Sequence, residues 1–157
     1  RAALESTLQV VGEVMFQYAC TGRGRWGELL EFTRDIVALF RTPMAEIQFK
    51  FVTQNVLPLH KMEGPTAHKH HSLLVEVVLT VARQDHEMIL PIVASLVQWW
   101  PSGSTDRDAV TEELFVGELR EVLDIGLPNG KDAGELVDDM FSCLGRALQH
   151  TDADVRQ

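Results

Sequence analysis

Apolar residues recur along nearly the whole chain at offsets of three and four, and nowhere with a convincing period of two. Such spacing puts them on one face of a helix, whereas a half-buried strand needs strict alternation, so the sequence predicts an all-α fold. Seven helices are expected. The first carries Leu4, Leu8, Val11, Met15 and Tyr18 and ends in Thr21-Gly22-Arg23-Gly24-Arg25. The second carries Leu29, Leu30, Thr33, Ile36, Val37 and Phe40 and stops before Thr42-Pro43. Proline suits a first helical turn, where its missing N–H has no partner anyway, so Pro43 is expected to open the third helix. That helix runs through Ile47, Phe51 and Val52 until Pro58 ends or kinks it. After a polar stretch come a fourth stripe (Leu73, Leu74, Val77, Val78, Val81) and a fifth (Ile89, Ile92, Val93, Leu96, Val97, Trp100). The sixth spans about Val110 to Asp124, with Phe115, Leu119, Val122 and Leu123 inward. The seventh opens on Asp132-x-x-Glu135, a capping-box-like start, and buries Leu136, Met140, Cys143, Leu144, Ala147 and Leu148.

Helices joined by short turns form either a closed bundle or a stack of helical hairpins. The two ends of the chain favour the stack. Leu144-Gly145-Arg146-Ala147-Leu148 followed by Gln149 to Arg156 is similar to a HEAT first helix, a turn, and an Asp-Val-Arg opening of the second helix. Arg1-Ala2-Ala3-Leu4 reads like a helix already begun, with neither an initiator Met nor a signal-peptide pattern. Residues 1–157 are therefore expected to be one fragment of a HEAT-like helical-repeat solenoid, an alpha-alpha superhelix, cut within repeats at both ends. A chain of 157 residues, 45% of them hydrophobic, has enough apolar surface to bury a core.

Composition narrows the function classes. The net charge of −9 argues against nucleic acid, whose phosphates are bound by clustered Lys and Arg. The acidity is one-sided: Arg1 to Lys61 holds 7 basic and 6 acidic residues, Met62 to Gln157 holds 7 and 17. No apolar run approaches the roughly 20 residues needed to cross a bilayer, so no membrane is expected. Cys20 and Cys143 stand singly in helical patterns, without metal or disulfide spacing. A reducing, intracellular setting fits them.

Residues capable of chemistry are present without the arrangement it requires. His68, His70 and His71, with His60 and Glu63 nearby, lie at no standard zinc spacing and read as a polar loop leading into a helix N-terminus. Gly22, Gly24 and Gly27 imitate a phosphate-binding loop, but no strand precedes them and no Gly-Lys-Ser/Thr follows, so a plain turn is expected. The pairs Glu112/Glu113 and Asp138/Asp139 are expected on solvated helix faces. No nucleophile elbow or Cys/His pairing is found. Trp99-Trp100-Pro101 is expected to pack one indole against the next hairpin. The sequence thus predicts no catalytic residue, no metal and no cofactor.

One ordered set of motifs is specific. Gly27-Glu28-Leu29-Leu30-Glu31, Val56-Leu57-Pro58-Leu59-His60-Lys61, Leu90-Pro91-Ile92-Val93, Trp99-Trp100-Pro101 and Glu118 to Asp124 together resemble the B-prime regulatory subunits of protein phosphatase 2A, in order and nearly in spacing across the chain. The resemblance implies a noncatalytic subunit that binds the phosphatase scaffold and catalytic subunits and recruits substrates by holding short Leu-x-x-Ile-x-Glu segments in a groove between repeats. The matching groove positions are Arg1, Glu31, Phe32, Ile36 and Gln48. Phe32 stands where the family has Ile, Gln48 where it has His, and Ala45 where Lys is usual; the Gly22 to Arg25 turn and the Gly103 to Val110 stretch also depart. The rival reading is an unrelated HEAT-repeat adaptor or transport scaffold whose acidic Glu112 to Asp139 region meets a basic partner.

Overall fold

A computed structural model describes residues 2–62, 64–101, 105–127 and 133–154. Every regular element among them is helical, and seven are α-helices. The chain forms two compact units, Arg1–His86 and Glu87–Gln157.

In the first unit, α1 (Ala2–Thr21) is followed by α2 (Trp26–Val37), α3 (Glu46–Phe51) and α4 (Pro65–Gln84). Between α3 and α4 the rod continues as a π-helical turn, Val52–Val56, and a 3-10 turn, Leu57–Lys61. Helix α1 packs on α2 and on α3 with its π turn, while α2 packs on α4. Contacts of α1 with α2, and of α1 and α2 each with the next helix but one, fit hairpins stacked in two layers. The fold is all-α, of the HEAT-like helical-repeat class. The seam between α2 and α4 is closed by Leu30, Thr33, Ile36 and Val37 from one side and Leu74, Val77, Val78 and Val81 from the other, all buried. Each fully buried aliphatic side chain contributes about 1.5–3 kcal/mol relative to an exposed one.

In the second unit, α5 (Ile89–Gln98) packs on both α6 (Asp106–Ile125) and α7 (Ala133–Asp154), and α6 packs on α7. Ile89, Ile92, Val93 and Leu96 meet Phe115, Leu119 and Val122 of α6 and Met140 and Cys143 of α7 in its core. Pro91 sits in the first turn of α5, where no helical donor is lost. The start of α6 is a reciprocal cap: Asp108 N–H donates to Thr105 Oγ1 at 3.1 Å, and Thr105 N–H donates to Asp108 Oδ2 at 3.1 Å. This cap starts α6 at Asp106, ahead of the expected Val110.

Several other expectations are corrected. Pro43 precedes α3 rather than opening it, because Ala45 is the N-cap and its N–H is taken by the Gln48 side chain. Ile47 is exposed, and Gln48 takes the inward place on that turn. The histidine stretch is no loop: α4 begins at Pro65 and carries His68, His70 and His71 in its first two turns. Glu112 is buried, and its carboxylate accepts from the Trp100 indole Nε1–H at 3.0 Å; Asp138 and Asp139 are exposed as expected. The expected turn after Leu148 is absent, since α7 continues through Asp154 with no Gly or Pro after Gly145 to stop it, and Leu148 is exposed. Asp132, expected to cap α7, lies outside the described residues.

Candidate functional site

The five positions expected to line the groove fall on two helices and one undescribed residue. Arg1 lies outside the described residues. Glu31, Phe32 and Ile36 belong to α2, whose first turn is fastened by an Arg25–Glu28 ion pair of 2.8 Å. The Glu28 carboxyl is held below its ordinary range by its own backbone hydrogen bond and by the Arg25 side chain. Four residues apart, Phe32 and Ile36 follow one another along the helix one turn on, yet they differ in burial. Phe32 is 51% exposed, whereas Ile36 is 6% exposed and joins the seam against α4. Glu31 is exposed beside Phe32. On that side α2 offers an aromatic surface with a carboxylate at its edge, while Ile36 is taken up by the seam beneath.

Gln48 lies on α3 and is 9% exposed. Its Oε1 accepts from the Ala45 N–H at 2.9 Å, so its Nε2 end is the one able to donate to a ligand. Helices α2 and α3 both pack on α1, which is the element they share. A separate cleft of about 480 Å³ runs between α1 and α3, with Glu5, Gln9, Ile47, Lys50 and Gln54 in its wall, and among the described residues none of the expected groove positions lines it.

Sequence reasoning missed how the link between α2 and α3 is held. Gln84 Nε2 donates to the Ala38 carbonyl at 2.9 Å, the Thr42 hydroxyl donates to the Gln84 carbonyl, and the Met44 N–H donates to Asp85 Oδ2 at 3.1 Å. These partners lie more than forty residues apart, beyond the reach of any local motif.

The other chemistry-bearing groups have structural surroundings. The glycine-rich stretch is a turn between α1 and α2: Gly22 and Gly24 have φ of 62° and 147°, and a Cβ at Gly24 would meet the Tyr18 ring at 2.4 Å. Tyr18 in turn sits edge-on to Trp26, 5.4 Å between ring centres. On a helix, His68, His70 and His71 point in different directions at about 100° per residue. His71 faces inward, its ring edge-on to the buried His60 at 6.3 Å. Among the described residues, no three His, Cys, Asp or Glu side chains come together as a metal would require. Cys20 is exposed and Cys143 buried, both as free thiols. Trp100 stacks edge-on against Phe115 of the following helix, 6.0 Å between ring centres, as expected of a packing indole. Among the described residues, no helix is long and apolar enough to cross a membrane.

Comparison with known proteins gives the site its context. A family model described as protein phosphatase 2A regulatory B subunit (B56 family) matches residues 5–157. In Arabidopsis thaliana, the B′ epsilon isoform of the 57 kDa regulatory subunit of protein phosphatase 2A is 30% identical over 122 residues, covering 78% of this chain and 23% of that protein. The B′ alpha isoform from the same plant is 35% identical over 98 residues, 62% of this chain and 19% of that protein. The delta isoform of the human 56 kDa regulatory subunit is 26% identical over 121 residues, 77% of this chain and 19% of that protein. The chain thus spans about a fifth of the length of the curated relatives it matches.

Proposed function

Because the chain belongs to the B56 family of protein phosphatase 2A regulatory B subunits, we propose that it is a noncatalytic part of such a subunit, which binds the scaffold and catalytic subunits and recruits substrates through short Leu-x-x-Ile-x-Glu-like segments. The observation that carries this reading is the family match over residues 5–157. The same reading places the protein inside the cell, in cytoplasm and nucleus, without a cofactor and with no nucleic acid or membrane among its partners.

In this docking mode an extended peptide lays its Leu and Ile along α2, on the exposed Phe32 ring and above Ile36, and Glu31 lines the rim. Arg1 receives the peptide's Glu through a charge-assisted hydrogen bond, typically worth about 1.5–3 kcal/mol. The apolar surface supplies affinity and the arginine supplies selectivity. Gln48 adds a neutral amide donor. With Ala45 and Gln48 contributing no charge, extra acidic or phosphorylated residues in the peptide gain little.

Titrating a fluorescent Leu-x-x-Ile-x-Glu peptide into the full-length protein tests the site. Ile36→Asp should abolish binding, and since Ile36 is buried, Phe32→Asp serves as the partner variant on an exposed position. Arg1→Ala should weaken binding about tenfold or more. Binding by all three at the parent's affinity would place the groove elsewhere. The purified chain should also hydrolyse no phosphoester. Activity that persists after removal of any copurifying catalytic subunit would contradict a noncatalytic role.

A further inference from the structure

Residues 38–45 join α2 to α3, and beyond one short turn after Val37 they have no regular structure. A link of that kind would let the two helices drift relative to one another. It is instead tied at three points to the end of α4 and its C-cap: Ala38 to the Gln84 side chain, Thr42 to the Gln84 carbonyl, and Met44 to the C-cap Asp85. Asp85 is buried, and its own N–H donates to the Val81 carbonyl at 2.9 Å, so its carboxylate projects from a fixed point at the helix end. One residue past Met44, the Ala45 N–H holds the Gln48 amide. The backbone stretch that Asp85 grips is therefore also the one that sets the Gln48 side chain.

We propose that Asp85, assisted by Gln84, is a positioning residue for the docking groove: through a clip on the α2–α3 link it sets where Gln48 stands, and so whether the Gln48 amide reaches a peptide laid along α2. This rests on the docking role proposed above. Asp85 touches no ligand and acts through Met44 and Gln48. An acceptor is what the place requires, because the group to be held is a backbone N–H.

The test is anisotropy of the same labelled Leu-x-x-Ile-x-Glu peptide on full-length protein. Asp85→Ala should weaken binding about fivefold, whereas Asp85→Asn, which keeps a carbonyl oxygen at the same reach, should stay within about twofold of the parent. Combined with Gln48→Ala, the Asp85→Ala loss should largely disappear; combined with Phe32→Ala it should persist in full, since Phe32 does not depend on the clip. General destabilisation would add equally to both. Parent-like binding by folded Asp85→Ala, or equal coupling to Gln48 and Phe32, would overturn the inference. Should Asp85→Ala not fold, Thr42→Val removes another tie at an exposed residue and should weaken binding about two- to threefold, with parent-like binding again the contrary result. If the parent itself does not bind the peptide, the docking role fails and the clip's function with it. Parent binding with an indifferent Asp85 overturns the clip alone.

Discussion

The two units solve the same packing problem with different materials. Arg1–His86 holds nine basic and nine acidic residues, and its helices are cross-linked by polar groups distant in sequence, including an Arg34–Glu76 ion pair of 2.8 Å between α2 and α4. Glu87–Gln157 holds five basic and fourteen acidic residues, which is the whole of the −9 net charge, and rests on apolar stripes around Phe115 and Leu119. Its acidity is not all surface. Glu113, Glu121, Asp124, Glu135, Asp138 and Asp139 are not buried, but Glu112 is 5% exposed and Glu118 1%. A charge count alone would assign every one of them to a basic partner, whereas two are internal. The first unit, by contrast, uses side-chain to backbone bonds to place a loop, whose last residue, Ala45, donates its N–H to Gln48.

Breaking the second unit at its core should have the largest effect. Phe115→Ala should cost about 3–5 kcal/mol and release amide protection in α5, α6 and α7, read by hydrogen exchange. A loss under about 1 kcal/mol would mean that the core lies elsewhere. Next in size is Trp100→Phe, which keeps the ring against Phe115 but removes the donor to Glu112, at an expected cost of about 1–3 kcal/mol in a denaturant melt. Thr105→Ala should cost about 1 kcal/mol and fray the first turn of α6, since alanine has no oxygen to accept the Asp108 N–H. No change would show that the cap is ornamental.

The smallest effect belongs to the first unit and depends on pH. The Glu46 carboxyl is held below its ordinary value of 4.5 by the hydrogen bond from Lys50. A lowered folded-state value stabilises the fold above the ordinary carboxylate pKa, and that stabilisation is lost as pH falls through the lowered one. Melting temperature measured from neutral pH down to below pH 4.5 should fall slightly more in the parent than in Glu46→Gln. The difference should shrink in high salt, because the pair is solvent-exposed.

Where apolar side chains repeat, the helices were legible in the sequence. Leu8, Val11 and Met15 of α1 and Ile92, Val93 and Leu96 of α5 are buried as their spacing requires. What escaped was whatever depends on partners distant in sequence or on polar residues doing inward work. His68 to His71 look like a loop because histidine breaks an apolar stripe, yet His71 turns inward beside His60. Glu112 looks solvated until an indole twelve residues earlier is brought to it. Gln48 takes the inward place of Ile47 on α3, beside the buried Phe51, and its amide caps the helix start, a role no hydrophobic pattern records. Of the candidate groove, resemblance supplied the positions, and spacing placed Phe32 and Ile36 one turn apart. Their unequal burial, and the clip from α4, became visible only with the tertiary structure.

The most direct test of the central claim is assembly. Full-length protein mixed with purified phosphatase 2A scaffold and catalytic subunits should elute from size exclusion as one complex containing all three chains, and the catalytic subunit should supply all the phosphatase activity. Separate elution, under conditions where a known B56 subunit assembles with the same core, would contradict the account.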